Sequence, residues 1–128
     1  MQTESYFGTD DLSLPYKPKR LTEKSKFSPR IALATLPAKS KLPNTVGKYD
    51  GLSDPDDHIL AFTTAGRVGA WTLPAWCHLF AQTLTGAARA WFDSIPVKRI
   101  DDFQELEDMF LQHFSQQRRH NIDPANIL

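Results

Sequence analysis

At 128 residues, with 41% hydrophobic and 11% aromatic content, the chain can bury one core and is too short for two ordinary domains. The single cysteine, Cys77, excludes an internal disulfide and a cysteine-rich zinc site, so stability must come from packing. The formal charge of zero hides an asymmetry: nine Lys and Arg against four acids up to Lys48 give +5, and six against eleven beyond it give −5.

No apolar run approaches the roughly 20 residues of a membrane-spanning helix, and Met1-Gln2-Thr3-Glu4-Ser5 lacks the basic and apolar blocks of a secretory signal. The expectation is a soluble, cytoplasmic protein, with nuclear entry left open.

Residues 1–48 carry Pro15, Pro18, Pro29, Pro37 and Pro43, scattered Ser and Lys, and no sustained apolar period. They read as a disordered or extended basic tail. Ile31 to Leu36 is its one apolar patch, a short docking segment or a nascent helix. The positive charge, with Lys17, Lys19 and Arg20, suits weak contact with RNA or an anionic membrane; the plainer reading is a solvated linker.

Character changes at Tyr49-Asp50-Gly51, a turn signal. Ser53-Asp54-Pro55-Asp56-Asp57 follows, where a capping side chain, a first-turn proline and early acids announce a helix. Ile59, Phe62, Ala65, Gly66 and Gly69 recur at helical spacing, and the helix is expected to end near Gly69. Glycines here cost about 1 kcal/mol each in propensity, so they serve close packing or termination.

A second start lies at Thr72-Leu73-Pro74, and Trp76, Leu79, Phe80, Thr83 and Leu84 form one stripe. Thr85-Gly86 interrupts it; Ala88, Trp91, Phe92 and Ile95 make a third, shorter stripe that Pro96 stops. Asp101 with Gln104 resembles a capping box, and Phe103, Leu106, Phe110 and Phe114 line a fourth helix. The result is an all-α fold: a small orthogonal bundle of about four helices over residues 49–120, with Trp91 at its centre, a tail over 1–48, and a linker or next lobe starting at 121–128.

Chemistry finds little support. Asp54, Asp56, Asp57 and His58 concentrate metal ligands, yet successive helical positions face apart, and the glycine and distal Glu of a calcium loop are missing. Cys77 and His78, as helical neighbours, project about 100° apart and cannot pair as nucleophile and base. Asp93-Ser94-Ile95 is not an aspartic-protease loop, and no phosphate loop or zinc-protease His pair occurs. A non-enzyme without cofactor or small-molecule substrate is expected. Arg118 and Arg119, with His120, stand after an acidic helix, as phosphate contacts or as complements to its dipole.

Leu84-Thr85-Gly86-Ala87-Ala88-Arg89-Ala90-Trp91-Phe92 resembles the Leu-x-Gly-x-Ala-x-x-Trp signature of Ty3/gypsy-type retrotransposon Gag capsid domains. Tyr49-Asp50-Gly51, Asp54-Pro55 and Phe62 resemble the family's opening segment, and Phe103, Leu106, Phe110 and Phe114 its closing aromatic helix. The wording of Trp71-Thr72-Leu73-Pro74, Cys77-His78 and His113 to Arg119 is similar to plant elements. Phe103 stands where the family commonly has tryptophan.

The resemblance implies a structural capsid N-terminal lobe that self-associates into a shell packaging element RNA. It places a second lobe and a zinc knuckle beyond Leu128. A domesticated or decayed remnant that binds peptides as a monomer, in a groove between the first two helices, is the alternative. Arg67, Arg89, Asp93 and Gln112, off the apolar stripes, are the candidate assembly contacts.

Overall fold

The computed structural model describes residues 23–118, and local signals open each of the longer helices but one. The elements are α1 (Pro29–Ala32), α2 (Pro55–Gly69), α3 (Leu73–Gln82), α4 (Gly86–Ser94), α5 (Phe103–His113) and a 3-10 turn (Ser115–Gln117). Among the described residues there are no strands, only parallel bridges between Phe27 and Ile100 and between Tyr49 and Leu84. The fold is a small all-α bundle.

Asp54 caps α2 by accepting from the Asp56 amide at 2.9 Å, with Pro55 at the first position and Asp56 and Asp57 in the first turn. The helix stops where Ala70 enters the left-handed region, at φ 51°. Thr72 opens α3 by accepting from the Ala75 amide at 3.4 Å. Thr85 precedes α4 without a side-chain cap. For α5 the capping residue is Asp102, not Asp101: Asp102 accepts from the Glu105 amide at 2.8 Å, and Glu105 accepts from the Asp101 amide at 3.1 Å. Asp101 is engaged elsewhere, by Ser28 Oγ at 2.5 Å and Arg30 Nε at 2.9 Å.

Those two hydrogen bonds belong to a larger correction. Residues 1–22 of the expected tail lie outside the described residues, and the rest of it is ordered. From Phe27 onward the chain packs. The Ser28 amide donates to Ile100 O at 2.8 Å, the Ile100 amide to Lys26 O at 2.9 Å, and the Lys98 amide to Ser25 O at 2.8 Å. Phe27, Ile31, Ala32 and Val46 are buried, and α1 lies on α3. Burying Ile31 and Phe27 is worth roughly 1.5 to 3 kcal/mol each and, with these hydrogen bonds, offsets part of the entropy of ordering a proline-containing segment that has no helical period of its own.

The centre of the core is Phe62, Phe80 and Phe110, all without solvent exposure, where α5 crosses α2 and α3. Phe80 meets Phe62 edge-on at 5.1 Å and Phe110 perpendicularly at 5.0 Å, geometries worth about 0.5 to 1.5 kcal/mol beyond area burial. Trp91 is not the centre. It is half-buried at the margin, stacked on His113 at 5.5 Å and edge-on to Phe110 and Phe114 at 5.9 and 5.5 Å. Its position near the end of the short α4 sets it against the last turn of α5, where solvent reaches one face.

Gly66 has a packing role. A Cβ there would lie 2.4 Å from Trp76 Cη2, so its absence lets the Trp76 indole of α3 lie against α2. Trp76 cannot swing aside, because its Nε1 donates to Trp71 O at 3.1 Å and its ring abuts Phe62 and Phe103.

Candidate functional site

Helix α2 carries two apolar stripes. Ile59, Phe62 and Gly66 face the core, whereas Leu60, Ala61, Ala65 and Val68 lie along the other side at positions 60, 61, 65 and 68. Leu60 is 65% exposed and Val68 84% exposed. Between this stripe and the segment Lys39 to Thr45 runs a groove of about 1030 Å³, with Leu42 and Trp71 in its walls, Lys39 and Lys41 on one rim and Asp57 among its lining residues. Each large apolar side chain left in water forgoes roughly 1.5 to 3 kcal/mol, so a groove lined by two of them is a surface suited to being covered. The offset stripe was readable in the sequence as Leu60, Thr64 and Val68 at i, i+4 and i+8. Its opposite wall was not, because residues 39–45 reach it only through the fold.

The candidate assembly contacts do not converge. Arg67 lines a hollow of about 390 Å³ with Trp76, Phe103 and Glu107, whose carboxyl is raised above its ordinary pKa by burial, with Asp108 adding to the effect. Arg89 and Asp93 form an i,i+4 ion pair at 3.3 Å, with the Arg89 guanidinium 5.3 Å from the Phe92 ring centre. Gln112 borders a third depression, of about 800 Å³, beside Trp91 and His113. The three hollows share no residue.

The Leu84 to Phe92 signature forms a clasp on the segment before α2. The Tyr49 amide donates to Thr83 O at 2.8 Å and the Thr85 amide to Tyr49 O at 2.9 Å, which locks buried Leu84 beside Tyr49. Gly86 has φ +53°, and a Cβ there would lie 3.3 Å from Asp50 O; that same carbonyl accepts from the Ala88 amide at 3.3 Å. Ala88 and Phe92 are buried, as are Phe103, Leu106, Phe110 and Phe114. The motif is an instrument of packing.

Polar groups within the core are fixed by one another. His58 and Thr83 are buried, and the Thr83 hydroxyl donates to Phe80 O at 2.6 Å. That leaves its oxygen to accept from His58 Nε2–H at 2.9 Å. Burial pushes the His58 imidazole down to about 4. Tyr49 stacks on His58 at 5.3 Å, donates its hydroxyl hydrogen to Ser53 O at 2.7 Å, and is pushed up to about 12, first by burial and then by Asp50 and Asp54.

The four residues weighed as metal ligands point in different directions. Asp54 caps α2, Asp56 pairs with Arg118 at 2.9 Å, Asp57 lies on the groove, and His58 faces Thr83. Among the described residues no group of three His, Cys, Asp or Glu could hold a metal ion. Cys77 is buried and its thiol is pushed up to about 12 by burial, while His78 Nε2 donates to Ile31 O at 2.8 Å. Among the described residues no helix is long and apolar enough to cross a membrane. Of the residues considered for nucleic-acid contact, Lys17, Lys19, Arg20 and Arg119 lie outside the described residues. Arg118, in its ion pair with Asp56, ties the end of the last turn to the start of α2.

Over residues 39–115 the chain matches the family model described as retrotransposon-derived protein PEG10, N-terminal capsid-like domain. No curated protein and no solved structure matches it.

Proposed function

The chain belongs to the retrotransposon-derived PEG10 N-terminal capsid-like domain family, and on that premise we propose that it is a capsid lobe making homotypic contacts through the outer face of α2. The observation that carries this reading is the exposure of Leu60 and Val68 on one groove. A surface stripe of that kind costs solubility unless a partner covers it, and a shell of like subunits supplies such a partner. Within the same proposal, Leu84, Gly86, Ala88 and Trp91 favour a Ty3/gypsy-type source, Trp71 to Pro74, Cys77-His78 and His113 to Arg119 favour one of the plant kind, the setting is cytoplasmic, and the particle packages element RNA.

Sedimentation of the full chain over a range of concentrations tests it. Mass should rise with concentration, and the double variant Leu60→Asp/Val68→Asp should remain monomeric at an unchanged melting temperature. A monomer up to millimolar concentration would sink the reading.

A second reading is a monomeric module that binds a peptide. It is favoured by the shape of the same groove, which runs between residues 39–45 and α2 and not between α2 and α3, where the Trp76 ring lies on Gly66. A peptide with two apolar anchors spaced to meet Leu60 and Val68 would fit. Saturable one-to-one binding by a protein that stays monomeric would favour this reading over homotypic assembly.

A further inference from the structure

The side chains of Ser28 and Arg30 converge on one residue. Ser28 Oγ donates to Asp101 Oδ1 at 2.5 Å, Arg30 Nε donates to the same oxygen at 2.9 Å, and Arg30 Nη2 donates to Asp101 O at 2.7 Å. Beside them the Lys98 amide donates to Ser25 O and the Ile100 amide to Lys26 O, so the clasp closes one end of a short bridge between the two segments. Asp101 is held below the usual carboxylate range, first by the Ser28 hydroxyl and then by Arg30. It is therefore an anion at neutral pH, and Ser28 must supply the hydrogen. The clasp depends on that hydrogen.

Ser28 is also placed to lose it. Of the nine prolines in the sequence, only Pro29 follows a serine or threonine. Ser28 has φ −63° and ψ 160°, the extended geometry that a following proline imposes. Pro29 and Arg30 are exposed, and the side chains of Arg30 and Asp101 are each 58% open to solvent. A kinase that requires proline after its acceptor takes the acceptor in an extended form. Helix α1, four residues long and resting chiefly on α3, is a small unit to open locally for one.

We propose that Ser28 is a phosphorylation site for a proline-directed kinase, and that the modification shifts the segment around Phe27 and Ile31 toward release from Ile100 and α3. The γ-phosphoryl group of ATP passes to Ser28 Oγ: an O–P bond forms, the anhydride bond to ADP breaks, and the hydroxyl proton goes to the kinase's base. The ester oxygen then has no hydrogen to donate, and a group carrying about −1.5 to −2 charge faces the Asp101 carboxylate. Arg30, already on Asp101, brings one positive charge against about three negative, and Arg99 is engaged by Glu105. Like charges held that close disfavour the docked state. The site shares no residue with the groove on α2 and stands apart from homotypic contact there.

The full chain incubated with ATP and a mitogen-activated protein kinase tests the site. Mass spectrometry should find a single added phosphate, and Ser28→Ala should take up none. Hydrogen exchange then reads the release at the Lys98 and Ile100 amides, which lie across the bridge and far in sequence from the phosphate. Phosphorylation should speed exchange at both by at least about tenfold in the wild type. In Asp101→Asn no carboxylate opposes the phosphate and Arg30 is free to pair with it, so the change should stay within about twofold or reverse in sign. A chain that takes up no phosphate, or uptake that persists in Ser28→Ala, would overturn the proposal. So would exchange in the wild type that phosphorylation leaves unchanged, since the clasp would then tolerate the charge. An equal rise in Asp101→Asn would remove the carboxylate from the account and overturn it as well.

Discussion

His58 Nε2 donates to Thr83 Oγ1 at 2.9 Å between two side chains sealed from solvent, one at the start of α2 and the other just past the end of α3. The imidazole is held neutral there, its pKa lowered from 6.5 to about 4 by burial. Above the ordinary value both folded and unfolded states are neutral, and this contribution to stability is fully present. As pH falls from 6.5 toward 4 the unfolded chain takes up a proton that the folded chain refuses, so stability drops, by up to about 3 kcal/mol. Chemical denaturation at pH 7 and pH 4.5 should show the decline, and His58→Gln, which cannot titrate, should flatten it.

Core deletions should rank by burial and not by membership in the signature. Phe80→Ala removes a ring with no exposure at the crossing of three helices and should cost about 3 to 5 kcal/mol. Trp91→Ala opens a margin that solvent already reaches and should cost about half as much, leaving a cooperative melt. Equal losses in the two variants, measured by urea denaturation, would place Trp91 back at the centre.

Two small residues at the end of α2 should respond with opposite signs. Gly66→Ala gains about 1 kcal/mol of helix propensity but drives a methyl into the fixed Trp76 ring, for a net loss of about 1 to 2 kcal/mol. Ala70→Gly relieves a left-handed alanine and should raise stability by about 0.5 to 1 kcal/mol. Melting temperatures of the pair read both directions in one experiment.

The segment before Tyr49 should behave as part of the core. Ile31→Ala should cost about 2 to 5 kcal/mol, because Ile31 has no exposure and its carbonyl accepts from His78. An unchanged melt would return the segment to the tail.

Helix starts were legible wherever the signal was local. Asp54 with Pro55 and Thr72 with Pro74 each announce a helix within four positions, and both helices begin there. Asp101 and Asp102 defeated that logic: each has an amide- or carboxylate-bearing side chain three residues on, and the choice between them is made by Ser28 and Arg30, which claim Asp101 from far away in sequence. Phe27 and Ile31 were unreadable as core for the same reason, since a four-residue helix shows no period and its partners lie near Ile100 and His78. The signature residues were found by pattern, but a pattern does not carry depth: Ala88 is fully enclosed and Trp91 is not. The assembly candidates were picked for polarity, which is why they scatter, whereas the surface that asks for a partner is apolar.

The bridge between Phe27 and Ile100 bears on how the protein is made. Ser28 and Asp101 are 73 positions apart, and a ribosome delivers the first of them long before the second. Until Ile100 leaves the exit tunnel, Phe27 and Ile31 lack part of their enclosure, and α5, which covers Phe62 and Phe80, is still inside it. Closing so long a loop also carries an entropic cost that the local helix contacts escape. The core therefore closes only after the segment around Ile100 and α5 has emerged, and until then Phe27, Ile31, Phe62 and Phe80 stay incompletely covered.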